Sequence, residues 1–102
     1  MSFHIDQRKA LLETVREASD IVAYVATFPL DHGANEPLRQ VATRIDAAAR
    51  ASGSRELVER SRAFFNVACG IISSGRAAAR LERTFADLLT AAEALADSNS
   101  SF

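Results

Sequence analysis

Between Ala63 and Gly75 the chain runs for thirteen residues without a charge. Such a stretch cannot lie in water along its whole length, so the sequence predicts that it forms the central helix of an all-helical fold. Turning about 100° per residue, it brings Leu57, Ser61, Phe64, Ala68 and Ile71 to one side, with Val58, Phe65 and Ile72 beside them. Nearly opposite lies a second strip, Ala63, Val67, Gly70 and Ser74, spaced 4, 3, 4 and almost wholly of small residues. Small side chains at that spacing let another backbone come close, either within one bundle or from a second chain. A homodimer is expected, with this strip or the uncharged end of the first helix at its interface.

The rest of the chain repeats the same periodicity. Leu11, Val15, Ala18, Val22 and Val25 are spaced 4, 3, 4, 3, while Asp6, Lys9, Glu13, Arg16, Glu17 and Asp20 share the far side. No charge occurs from Ile21 to Leu30, and Tyr24 there lies in line with the polar face, where a phenol buries its ring and keeps its hydroxyl wet. Pro29 then stops the helix. Asn35 is expected to cap a second helix with Pro37 in its first turn and Leu38, Val41, Ile45 and Ala48 along its seam. Gly53 suits a left-handed helix end and Ser54 the cap of the next, so these two helices turn sharply and pack antiparallel.

Ser73-Ser74-Gly75 reads as a tight turn, after which Ala78, Leu81, Phe85, Leu88, Ala92 and Leu95 form a last seam. Against that turn, Leu57, Phe64, Ile71, Ala78, Phe85 and Ala92 recur every seven residues, as one long helix would have them. The expected fold is therefore an up-and-down four-helix bundle with helices over 5–28, 36–52, 54–73 and 76–97, the alternative being three helices with one long C-terminal helix in a dimer. Residues 1–102 form one domain, with 98–102 a frayed tail. The expected interior is Leu11, Val15, Val22, Val25, Leu38, Val41, Ile45, Phe64, Phe65, Ala68, Ile71, Leu81, Phe85 and Leu88.

Patterns that carry chemistry are absent. The sequence has no glycine-rich phosphate loop, no Gly-x-Ser-x-Gly elbow, no His-Glu-x-x-His and no Glu-x-x-His. His32 stands between Asp31 and Gly33, but His4 is the only other histidine, and a metal site needs three or four ligands. The lone Cys69 excludes an intrachain disulfide and fits a reducing cytoplasm. No cofactor or metal is implied. The start of the chain lacks the basic-then-apolar pattern of a signal peptide, and no apolar run is long enough for a membrane span, so a cytoplasmic protein is expected. Arginine outnumbers lysine eleven to one, which suggests a GC-rich bacterial genome.

Charge is distributed unevenly. Net values are -3 over residues 1–38, +5 over 39–83 and -3 over 84–102, and the whole chain carries -1. Within the basic middle, Arg76, Arg80 and Arg83 are spaced 4 and 3, opposite the seam of the last helix. Arginine forks suit carboxylates and phosphates alike. The expected function is a small non-catalytic interaction module, acting as a bacterial regulator, adaptor or stoichiometric inhibitor. Arg76, Arg80 and Arg83, with Tyr24, would face an acidic partner protein. A second possibility is nucleic-acid or nucleotide contact through Arg39, Arg44, Arg50, Arg55, Arg76 and Arg80, which the overall charge disfavours. A third is a small enzyme or ligand carrier with a pocket near Tyr24, His32 and Cys69.

Overall fold

The computed structural model describes residues 2–70, 72 and 74–97, with the backbone alone for 2–7. Four α-helices follow in order: α1 (Ser2–Thr27), α2 (Asn35–Ser52), α3 (Arg55–Ala68) and α4 (Gly75–Asp97), with a 3-10 turn at His32–Ala34 before α2. Each helix packs on its two neighbours around a ring, α1 on α2, α2 on α3, α3 on α4 and α4 back on α1. The molecule measures 45 × 20 × 19 Å. A helix of 26 residues spans about 39 Å at 1.5 Å per residue, so the long dimension is one helix length and the helices run up and down. The four-helix bundle expected from the seams is thus the fold. No helix among the described residues is long and apolar enough to cross a membrane.

The seams meet as their spacing requires. Leu11, Val15, Ala18, Val22 and Val25 of α1, Leu38, Val41 and Ile45 of α2, Phe64 and Ala68 of α3, and Leu81, Phe85 and Leu88 of α4 are all buried. The Phe64 and Phe85 rings pack tilted, centroids 5.6 Å apart, and join α3 to α4. Phe65 is only half-buried, and Ile71 lies outside the described residues. The 98–102 tail lies outside them too.

Three expectations need correction. First, α3 is not central: it is one corner of a ring and touches α2 and α4. Second, it ends at Ala68 rather than at Ser73, and no single helix runs on to Asp97. The Gly70 N–H bonds the Val67 carbonyl at 3.1 Å, a tighter pitch that closes the helix, and Ile72 turns back to be buried in the core. The seven-residue recurrence from Leu57 to Ala92 joins two separate helices with similar seams. Third, Asn35 does not cap α2 but is its first helical residue, at φ -67 and ψ -36. The 3-10 turn leads the chain into α2 with helical dihedrals already set, and Asp31 does the capping one turn earlier, accepting from the Gly33 N–H at 3.2 Å.

The α2–α3 corner follows the reading of the sequence. Gly53 adopts φ 77, a left-handed conformation that side chains disfavour, and the Ser54 hydroxyl accepts the Leu57 N–H at 3.2 Å. Pro29 ends α1 at Thr27 as expected.

Candidate interaction surfaces

Because the helices alternate in direction, the α1–α2 and α3–α4 connections lie at the same end of the bundle. Two surfaces stand out there, on opposite long sides.

The first is the arginine stripe. Arg76, Arg80 and Arg83 are exposed on the first two turns of α4, whose start is capped by the Ser74 hydroxyl accepting the Ala77 N–H at 3.2 Å. One turn beyond Arg83, Asp87 pairs with Arg60 of α3 at 3.5 Å, whereas Glu93 pairs with Arg16 of α1 at 3.7 Å. The stripe therefore runs along the α3 side of α4. Among the described residues, Arg16, Arg39, Arg44, Arg50, Arg60 and Arg62 all pair with carboxylates, but none of the three stripe arginines does. Arg76, in the first turn of α4, is also misplaced for the helix, since a cation there opposes the macrodipole by a few tenths of a kcal/mol. Beside the stripe, Asn66, Val67, Gly70, Ile72, Ala77 and Arg80 line an open cleft of about 280 Å³.

The nominated dimer strip is only partly a strip. Ala63 and Val67 lie on α3, Ala63 exposed and Val67 half-buried. Gly70 and Ser74 are exposed but fall beyond the end of that helix. Val67 and Gly70 instead belong to the wall of the cleft beside Arg80.

The second surface is apolar. Tyr24 is 42% exposed, Phe28 54% and Leu30 77%, and these are the large apolar side chains that stand in solvent among the described residues. Tyr24 and Phe28 are one turn apart with ring centroids at 5.1 Å. The Tyr24 hydroxyl donates to the Asp31 carboxylate, which folds the loop after Pro29 back onto α1. Glu17, seven residues before Tyr24 on the same line of α1, reaches Arg44 of α2 at 3.9 Å, so this patch faces the α2 side. The uncharged run from Ile21 to Leu30 is the signal in the sequence. Nothing in that run marks Phe28 and Leu30, because the direction of the chain after Pro29 is set by the Tyr24–Asp31 contact across seven residues.

The hydrogen bond to Asp31, then its negative charge, and then slight desolvation raise the pKa of Tyr24 above the ordinary tyrosine range. A phenol whose folded pKa is raised contributes stability below its unfolded pKa, and that contribution is lost as pH rises through the folded value. The chain has one tyrosine and no tryptophan, so ultraviolet titration reads this group alone. The tyrosinate signal is expected to rise above the ordinary range in the wild type and to move down in Asp31→Asn. Equal midpoints would show that the contact is not made in solution.

The other nominated residues stay apart. His32 is exposed in the 3-10 turn and Cys69 is half-buried after α3, and neither lines the α3–α4 cleft or a second cleft of about 230 Å³ between Ala10, Leu11, Thr14, Ala48, Ala51 and Ser52. No group of three or more His, Cys, Asp or Glu side chains placed to hold a metal ion occurs among the described residues. Of the basic middle, Arg39, Arg44 and Arg50 pair with Glu36, Glu17 and Asp46 at 3.3, 3.9 and 3.0 Å, leaving Arg55 and the α4 stripe.

The chain matches no family model, no curated protein and no solved structure.

Proposed function

We propose that this chain is a non-catalytic protein-protein interaction module, a regulator, adaptor or stoichiometric inhibitor, that docks an acidic partner on the arginine stripe of α4. One observation carries this reading. Three adjacent, exposed arginines make no ion pair among the described residues, while six others in the same molecule do. Three exposed cations in line with no carboxylate drawn to them are a feature that folding does not require, and the first of them, Arg76, also opposes the helix dipole. An acidic surface reaching them gains charge-assisted, forked hydrogen bonds. The cleft beside the stripe, at about 280 Å³, falls just below the roughly 300–1,000 Å³ of small-molecule sites and is large enough for an inserted side chain.

The test is affinity capture from a bacterial lysate with the wild type and with Arg76→Glu/Arg80→Glu/Arg83→Glu as baits. The wild type is expected to retain a partner that the triple variant loses, with retention weakening in added salt. The variant should remain folded, because the three side chains are exposed, and the gain from an acid at position 76 in the first turn offsets the like-charge contact of position 83 with Asp87. Undiminished capture by a folded triple variant would remove the stripe from the interface. Release of the partner by nuclease would move the reading to nucleic acid.

A further inference from the structure

We infer that the acidic partner of the arginine stripe is a second copy of this chain, docking through its Tyr24, Phe28 and Leu30 end; this rests on the reading of the stripe given above. The two surfaces complement each other in polarity and charge. Phe28 and Leu30 project into solvent, and they are flanked by carboxylates: Asp31 in the same loop, and Asp20 one turn before Tyr24 on exposed helix. The cleft on the other side of the bundle has Val67, Ile72 and Ala77 in its wall and Arg80 at its edge, with Arg76 one turn away. An apolar knob flanked by two carboxylates thus meets a largely apolar cleft, lined also by Asn66, with an arginine at its edge.

The helical stripes match as well. Glu13, Glu17 and Asp20 on exposed α1 are spaced 4 and 3, and Arg76, Arg80 and Arg83 on α4 have the same spacing. Of these carboxylates, Glu13 and Asp20 make no ion pair among the described residues, and Glu17 is held only at 3.9 Å by Arg44. A patch-to-patch dimer is disfavoured, because it would bring the Asp20 and Asp31 carboxylates of both copies together. Apolar side chains standing in solvent beside one another are what a protein interface buries.

Since the two surfaces lie on opposite long sides at the same end, one copy meets the next by a shift rather than by a two-fold rotation. Such a heterologous contact leaves a free knob and a free cleft at the ends of every assembly and does not close at two copies.

Sedimentation velocity over rising protein concentration tests this with three chains: wild type, the triple stripe variant Arg76→Glu/Arg80→Glu/Arg83→Glu, and the patch variant Phe28→Ser/Leu30→Ser. The wild type is expected to grow past twice the chain mass of 11.0 kDa as concentration rises. Each variant alone should stay at the mass of one chain, its self-affinity reduced on the order of a hundredfold. Mixed together, the two variants should stop at two chains, because the stripe variant keeps its knob and the patch variant keeps its cleft. Circular dichroism confirms that each is folded. A wild type that remains a monomer overturns the second-copy assignment, and so does a mixture of folded variants that fails to pair. If that monomer still captures a different protein through the stripe, the interaction-module reading stands; if stripe reversal changes no capture either, both fall. A wild type that stops at two chains, and loses that state only in the patch variant, overturns the knob-into-cleft contact in favour of an isologous one.

Discussion

Replacing Phe64 with alanine is expected to lower the unfolding free energy by about 3–5 kcal/mol, the usual cost of emptying a ring-sized space in a packed core. Phe64 is fully buried at the α3–α4 seam against Phe85. A domain of this length holds about 5–15 kcal/mol in all, so the variant should unfold at a much lower urea concentration with an unchanged slope. Phe65→Ala is the internal control. Its ring is half-buried one residue further round the helix, and its loss should cost less than half as much. A larger effect at Phe65 than at Phe64 would mean that α3 is rotated from the orientation described.

The second large effect belongs to a polar site inside the α2–α3 seam. Ser61 is fully buried and its hydroxyl donates to Asp46 at 3.3 Å. Asp46, 8% exposed, is also reached by Arg50 at 3.0 Å and Arg62 at 3.7 Å, both from the solvent side. Asp46→Ala is expected to cost about 2–3 kcal/mol, because the fully buried Ser61 hydroxyl loses its charged acceptor. The arginines lose little, since both reach solvent. Ser61→Ala removes only the donor and should cost about 1 kcal/mol. Combining the two should cost less than the separate effects together, since the second removal relieves the orphaned group left by the first. Strict additivity in denaturant melts would show that the two side chains do not bond.

The helices were legible because each seam is spaced for a lengthwise contact, as in Leu11, Val15, Ala18, Val22 and Val25, and because Pro29, Gly53 and Ser54 interrupt the pattern with chemistry that has a fixed structural meaning. What was not legible depends on tertiary contacts. The early end of α3 follows from Ile72 turning into the core, and a run of uncharged residues reads the same whether it continues as helix or folds under as a buried turn. Nothing in the spacing of α2 sets Asp46 apart from its exposed charges, and its burial depends on where Ser61 of another helix arrives. For the surfaces, the spacing of Arg76, Arg80 and Arg83 was visible, but whether those side chains are neutralised is decided by neighbours. Asp87, the nearest candidate on their own helix, is engaged by Arg60 instead. Tyr24 was legible as a half-exposed aromatic, and Phe28 and Leu30 gained meaning once Asp31 tied the loop beneath them.

The closed ring of neighbours has a consequence for how the chain holds its ends. In a row of hairpins the first and last helices would each be clamped along one side only, and would peel away first under thermal agitation. Here α4 returns to α1, so each helix is gripped along two sides and none is terminal in the mechanical sense. The entropy of closing that last seam is modest, because the cost of a loop grows only as the logarithm of its length, about 0.6 kcal/mol for each doubling. A sequence whose first and last helices both carry a full apolar seam thereby spreads its cooperativity over the whole molecule instead of concentrating it in the middle.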